Sequence, residues 1–205
     1  RPLEKLIEAD RPLAILGSLS PEAMMLNSRT RNRADSALRQ RDLMEIRGLI
    51  PATVTPFNTD GSVDYKSLSD HIARVGSATG LYGVCVNGHA GEVLALTSDE
   101  RKNVVAAARK ALPAQLKVIA GIASHSLADL VQQGLNAKQA GADMLLVFPL
   151  FDARPYRHLA RNADAVFSVF QRLDQEVNLP ISVFQYPETA GAVYSLEALI
   201  RIAEL

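Results

Sequence analysis

From Gly48 to Leu205, short runs of almost unbroken apolar residues alternate with longer stretches whose apolar positions recur every three or four residues. The runs are Leu49–Thr55, Tyr82–Val86, Lys117–Ile122, Asp143–Phe148 and Ile181–Tyr186. A parallel strand covered on both faces needs such continuous hydrophobicity, whereas a strand with one wet face alternates. With the last run counted from Pro180, the starts lie 33, 35, 26 and 37 residues apart. Each interval holds one helix and two loops, the repeat of βαβ units in an α/β fold.

The helical stretches carry their own start and stop signals. Asp64 precedes an apolar face of Leu68, Ile72 and Val75. Thr97-Ser98-Asp99-Glu100 has the form of a capping box, in which the threonine hydroxyl accepts from a free N–H and the glutamate reaches back. Val104, Val105, Ala108 and Leu112 then form the buried face, and Pro113 follows the end. Ser126 caps the next helix, with Asp129 favourable to its dipole and Gly141 at the left-handed position beyond its end. Helical patterns over Arg157–Phe170 and Leu196–Leu205 bring the total to five βα units. Five units fit either a complete doubly wound sheet or part of a TIM (β/α)8 barrel.

Residues 1–47 lie outside this pattern. They hold nine Lys and Arg against seven acids, with five arginines against Asp35 alone between Ser28 and Arg41. No strand-like run stands out there, and Pro2, Pro12 and Pro21 interrupt any long helix. Two readings fit: an Arg- and Ser-rich targeting segment, or a solvated extension whose short helices rest on the main domain. The expected division is therefore an extension over 1–47 and the βα units over 48–205.

Composition narrows the function. Twenty-two basic residues balance twenty-two acidic ones, so no global field draws nucleic acid or an anionic membrane. One cysteine, Cys85, excludes a disulfide framework and any multi-thiolate zinc site. No apolar run approaches the ~18 residues of a membrane span. The expectation is a soluble, cytoplasmic protein that partners neither nucleic acid nor membrane.

In both architectures ligands meet the C-terminal ends of the strands. After the second run comes Asn87-Gly88-His89-Ala90-Gly91-Glu92, where Gly88 and Gly91 suggest a sharp turn that leaves N–H groups free for an anion such as a carboxylate. A plain tight βα turn would read the same way. No Gly-x-Gly-x-x-Gly follows the first run, so a dinucleotide fold lacks its fingerprint.

Taken in order, the strand ends resemble one family. Gly48-Leu-Ile-Pro-Ala-Thr-Val-Thr-Pro-Phe57, Gly88–Glu92 with Leu96-Thr97 and Glu100-Arg101, Val118–Ser126, Gly141-Ala-Asp143 with Pro149, and Phe184-Gln-Tyr-Pro187 with Gly191 are similar to the dihydrodipicolinate synthase / N-acetylneuraminate lyase family. The resemblance implies a TIM barrel and a lyase, an aldolase acting on pyruvate or another 2-oxo acid. It implies a lysine on the sixth strand that forms a Schiff base, expected beyond Leu205. A loop (here Gly88, His89, Ala90, Gly91 and Glu92) would hold the substrate carboxylate. A tyrosine ending strand five would shuttle a proton, without metal or organic cofactor, in a homo-oligomer that is a dimer or tetramer.

The chain departs from that pattern at several positions. The tyrosine position is Phe184, which has no hydroxyl, and Tyr186 two residues on shares its strand face and is the substitute on offer. The family's Thr-Thr pair is His89-Ala90, a second tyrosine position is Phe151, and a distal arginine position is Thr189. Lys5, Lys66, Lys102, Lys110, Lys117 and Lys138 fall in the extension, on helices or at a strand's N-terminal end, none where an imine would form. Two alternatives stay open. One is a non-catalytic barrel that binds a small carboxylate. The other is a metal-dependent aldolase using His89, His125 and Glu92, although their spacing matches no recognised signature. His71 and His158 read as surface or satisfied helical groups, and Cys85 as a small buried hydrophobe.

Overall fold

A computed structural model describes residues 46–150, 156–189 and 191–205, together with the backbone of 14–16. Five parallel strands form one sheet: β1 (Ala14–Leu16), β2 (Gly83–Val86), β3 (Lys117–Ile122), β4 (Met144–Val147) and β5 (Ile181–Phe184). Their spatial order is β1-β5-β4-β3-β2. The segment after Gly48 lies along the free side of β2 through parallel bridges from Leu49 to Leu81 and from Ala52 to Cys85. From that segment through β2, β3, β4 and β5, each unit adds beside the last without reversal. A doubly wound sheet would reverse at a switch point. The winding is that of a (β/α) barrel, and it decides between the two architectures that the spacing left open.

The first three of the five helices follow the predicted caps. Asp64 caps α1 (Tyr65–Gly76) by accepting from the Ser67 N–H. Both halves of the Thr97–Glu100 box are made at the start of α2 (Ser98–Ala111). Ser126 caps α3 (Leu127–Gln139), and Gly141 takes φ 97° just past its end. The next helix begins later than its apolar pattern suggests: a 3-10 turn spans Tyr156–Arg161, and α4 runs Ala163–Val177. Asn162 sets that start, since its side chain accepts from the Ala165 N–H. Ser195 caps α5 (Leu196–Ala203).

Two further expectations are corrected. The opening run Leu49–Thr55 pairs with the β2 segment only through isolated bridges, because Pro51 has no N–H to give. In the extension, where no strand stood out, Ala14–Leu16 pairs in parallel with β5, Leu16 opposite Phe184. Three residues are too few to show a period, and the partner lies far along the chain.

The continuous apolar runs are explained by two cores. Val84, Val86, Val118, Ala120, Leu145, Val147 and Val183 point to the helices and pack with Leu68, Ile72, Val104, Leu130 and Phe170. On the other face Cys85, Ile119, Met144, Leu146 and Phe148 form a second cluster with Ile46, Ile50 and Phe184 packed against it. Both faces are therefore dry, as parallel strands require. No helix among the described residues is long and apolar enough to cross a membrane.

Candidate active site

The C-terminal edge of the sheet is shaped by residues that the sequence reading treated as incidental. At the end of β2 the chain turns at Asn87, with φ 54°, and again at Glu92, with φ 53°. Neither Gly88 nor Gly91 adopts a positive φ, so the predicted source of the turn is corrected: two left-handed non-glycine residues bend the loop. Gly91 serves closeness instead. A Cβ there would lie 3.1 Å from Asn87 N and 3.2 Å from Thr53 O. Gly121 on β3 is needed more strictly, since its Cβ would sit 1.9 Å from Asn87 O.

Side chains then hold the loop from beneath. The Thr55 hydroxyl donates to Gly91 O at 2.9 Å, and Thr53 to Cys85 O at 3.1 Å. Arg101, in the first turn of α2, donates through Nε to Val93 O at 2.9 Å and accepts at its own carbonyl from Asn87 Nδ2 at 3.0 Å. Asn87 Oδ1 is buried and accepts no hydrogen bond among the described residues. It lines a cavity of about 10 Å³ shared with Arg101, Gln133 and Asn136, about the size of a single water. With its underside fixed, the loop turns His89, Ala90 and Glu92 outward, all exposed. No backbone hydrogen bond among the described residues uses the N–H groups of His89 or Ala90.

Two glutamines fix the neighbouring loops. Gln133, 5% exposed, accepts from Ala123 N and donates to Ala123 O, extending β3 by a side chain. Gln185 does the same for Tyr194 at 3.2 and 3.3 Å. Neither was singled out from the sequence, where a lone glutamine within a helix or just after a strand carries no pattern.

Four rings gather over the inner core. The imidazole of His89 meets Phe148 edge-on at 4.5 Å between centroids, Phe184 at 5.2 Å and Tyr186 at 5.5 Å. Phe184 touches Phe148 at 4.5 Å and Tyr186 at 5.0 Å. Tyr186 lies past the end of β5, yet its ring still meets that of Phe184, and Tyr186 Oη lies 2.8 Å from His89 Nε2. Gly191 makes room for this arrangement, because a Cβ on it would lie 2.7 Å from Tyr186 Cγ.

The remaining candidates fall elsewhere. Among the described residues no three His, Cys, Asp or Glu side chains come together to hold a metal, so His89, His125 and Glu92 do not assemble into a site. His125 turns its Nδ1 to Leu150 O at 3.4 Å. Burial pushes the Cys85 thiol up to about 12, which keeps it protonated and inert. Thr189 lies exposed in a turn, and Phe151 lies outside the described residues. The lysines among the described residues stand on α1, α2 and α3 or at the N-terminal end of β3, away from the ring cluster.

Comparison with known proteins agrees with this arrangement. Residues 45–205 match the Dihydrodipicolinate synthetase family. A DapA-like lyase of Halobacterium salinarum is 31% identical over 164 residues, 80% of this chain and 52% of the relative. A 4-hydroxy-tetrahydrodipicolinate synthase of Agrobacterium fabrum is 33% identical over 153 residues, 75% of this chain and 50% of the relative. The crystal structure of dihydrodipicolinate synthase from Agrobacterium tumefaciens superposes with a TM-score of 0.66 at 29% identity, covering 76% of this chain and 50% of that one. N-acetylneuraminate lyase from Fusobacterium nucleatum, at 21% identity and a TM-score of 0.67 over 78% of this chain and 53% of that one, shares the fold. The chain thus spans about half the length of these relatives, and with its described strands wound as the first units of a TIM barrel, it belongs to the dihydrodipicolinate synthetase family.

Proposed function

We propose that the protein is a lyase that makes or breaks a carbon–carbon bond next to pyruvate or a related 2-oxo acid. The chemistry runs through a lysine Schiff base, with the lysine carried on a strand after Leu205. An amine that condenses with the keto carbon gives a protonated imine, an electron sink that makes the carbanion at the adjacent carbon accessible near neutral pH. In this reading the substrate carboxylate rests on the free N–H groups of His89 and Ala90, within Gly88–Glu92, and Tyr186 supplies the hydroxyl that Phe184 lacks.

The observation that carries the reading is convergence. The loop after β2 and the segment after β5 meet at the His89–Tyr186 contact, on the sheet edge where barrel enzymes place their chemistry. The reading also carries a cytoplasmic homo-oligomer, dimer or tetramer, that works without metal or organic cofactor.

Borohydride reduction in the presence of pyruvate, on the polypeptide that includes the sixth strand, tests it. The expected result is a covalent adduct on one lysine of that strand. Failure to trap any 2-oxo acid, combined with saturable binding of one, would favour the carboxylate-binding barrel, for which Phe184 at the tyrosine position is the supporting observation. Retro-aldol turnover would exclude that alternative.

A further inference from the structure

We propose that His89 and Tyr186 form a proton-transfer pair, with Tyr186 touching the substrate oxygen and His89 holding the proton behind it. The proposal rests on the Schiff-base reading above. It starts from a difficulty of this sequence: Phe184, Phe151 and the His89-Ala90 pair lack the hydroxyls that the resemblance puts at those positions. A lone phenol, with an ordinary pKa of about 10, is a poor base near neutral pH. An imidazole changes charge between about pH 5 and 8, so a phenol bonded to one can pass its proton on without becoming phenolate.

The geometry supplies that bond. Tyr186 Oη and His89 Nε2 are 2.8 Å apart although their residues are 97 positions apart in the chain. With the histidine proton on Nδ1, Nε2 accepts from the phenol. The imidazole is held edge-on against the rings of Phe148, which is 4% exposed, and Phe184. Tyr186 is fixed in turn by the Phe184 ring and by the space that Gly191 leaves, and Gln185 anchors the segment between them to Tyr194. A structural latch is the rival explanation, and it is the weaker one. His89 is exposed, so water could replace the bond at little loss of stability, yet the ends of β2, β4 and β5 converge to position it.

The step balances without any redox partner. In the cleavage direction, the imine of a 4-hydroxy-2-oxo acid gives its hydroxyl proton to Tyr186 Oη as Tyr186 donates its own to His89 Nε2. The C3–C4 bond breaks, its electron pair moves into the iminium as an enamine, and C4 leaves as an aldehyde. His89 then returns the proton through Tyr186 to C3, and water hydrolyses the imine to release pyruvate.

Two measurements on the polypeptide that includes the sixth strand test the pair. Borohydride trapping with pyruvate reports the imine. Exchange of the pyruvate methyl protons in deuterated buffer, followed by NMR, reports proton transfer at C3 and needs no knowledge of the aldehyde. In H89Q and Y186F the imine is still expected to trap while exchange falls about a hundredfold, the usual loss for a positioned acid–base group. Added imidazole is expected to restore exchange in H89A and not in Y186F, which a latch would not produce. A trapped imine with exchange within about twofold of wild type in both variants overturns the pair and leaves the Schiff base standing. A wild-type protein that traps no imine overturns the Schiff-base reading and this role together.

Discussion

The two ends of the parallel sheet are built on opposite principles. At the N-terminal end, Arg109 donates to Leu116 O, Leu112 O and Pro113 O and to the Asp143 carboxylate at 3.2 Å. Asp143 also accepts from Val118 N and from Lys117 Nζ. Among the described residues most donors there face an acceptor, the buried Tyr82 hydroxyl excepted, and the positive φ values fall on Gly48, Gly80 and Gly141, with Asn178 the one non-glycine. At the C-terminal end the chain turns through left-handed Asn87 and Glu92, leaves N–H groups of the loop unused, and exposes His89. One end spends its polar groups on itself; the other keeps them for something else. That division is how barrel folds separate stability from chemistry, and it can be attacked from either side.

The largest effect is expected where neighbouring strands meet backbone to backbone within each end. Gly121→Ala would place a Cβ 1.9 Å from Asn87 O and 2.6 Å from its carbonyl carbon. Overpacking against main chain cannot be relieved by a rotamer change, so the loss should reach about 3 kcal/mol or more. Gly83→Ala at the other end meets Lys117 O at 2.3 Å and should be comparably damaging. Denaturant unfolding gives the stabilities. The comparison sharpens in the residual fold: G121A should displace the 87–92 loop and abolish the His89–Tyr186 contact by NMR, whereas G83A should leave it in place. Equal disturbance of that contact by both would show that the ends are not separate.

Arg109→Ala comes next. It removes a part-buried guanidinium, leaves three carbonyls unsatisfied and takes one of three partners from the Asp143 carboxylate, a loss of about 2 kcal/mol. Unfolding should register that in full while methyl-proton exchange per folded molecule stays at the wild-type rate. A fall in exchange that matches the fall in stability would break the division.

How much of this was legible in the sequence depends on the range of the interaction. The five βα units, the Thr97–Glu100 box and the caps at Asp64 and Ser126 are local, and local patterns express them directly. The start of α4 was misplaced because Asn162 resembles any loop residue until its side chain is seen to meet the Ala165 N–H. The loop after β2 was located, but its mechanics were assigned to the wrong residues. Glycine usually means a positive φ, yet here Gly91 and Gly121 are needed for close approach to Asn87 and Thr53, and the left-handed turns fall on Asn87 and Glu92. The β1–β5 pairing and the His89–Tyr186 bond join distant parts of the chain, and no window along the sequence contains both partners.

Strain in the loop gives a smaller and oppositely signed effect. A non-glycine residue in the left-handed region stores about 1 kcal/mol. Glu92→Gly should release it, offset in part by the extra freedom glycine has when unfolded, for a net gain of up to about 1 kcal/mol. Asn87→Gly should gain nothing, because Asn87 also loses its bond to Arg101 O. A loss of stability in E92G would mean that the C-terminal end is not the strained one.

The smallest effect separates the ends by pH. Hydrogen bonds from the Ser67 hydroxyl and N–H hold Asp64 below the usual carboxylate range, and those from the Thr97 N–H and hydroxyl do the same for Glu100. Both cap helices at the C-terminal edge of the sheet. A carboxylate whose folded pKa is lowered stabilises the fold above its unfolded pKa, and the contribution is lost as pH falls through the folded value. Acidification below about pH 4 should therefore fray the first turns of α1 and α2, seen as faster amide exchange at Ser67 and Glu100 relative to the intrinsic rate. The Ser126 and Ser195 hydroxyls that cap α3 and α5 do not titrate, so Asp129 and Ala198 N–H, which donate to them, are internal controls. Fraying of α1 and α2 alone would trace the acid sensitivity of this edge to two side chains. Equal fraying of all four helices would place it in the edge as a whole, and the contrast between the two ends would then rest on backbone strain and not on charge.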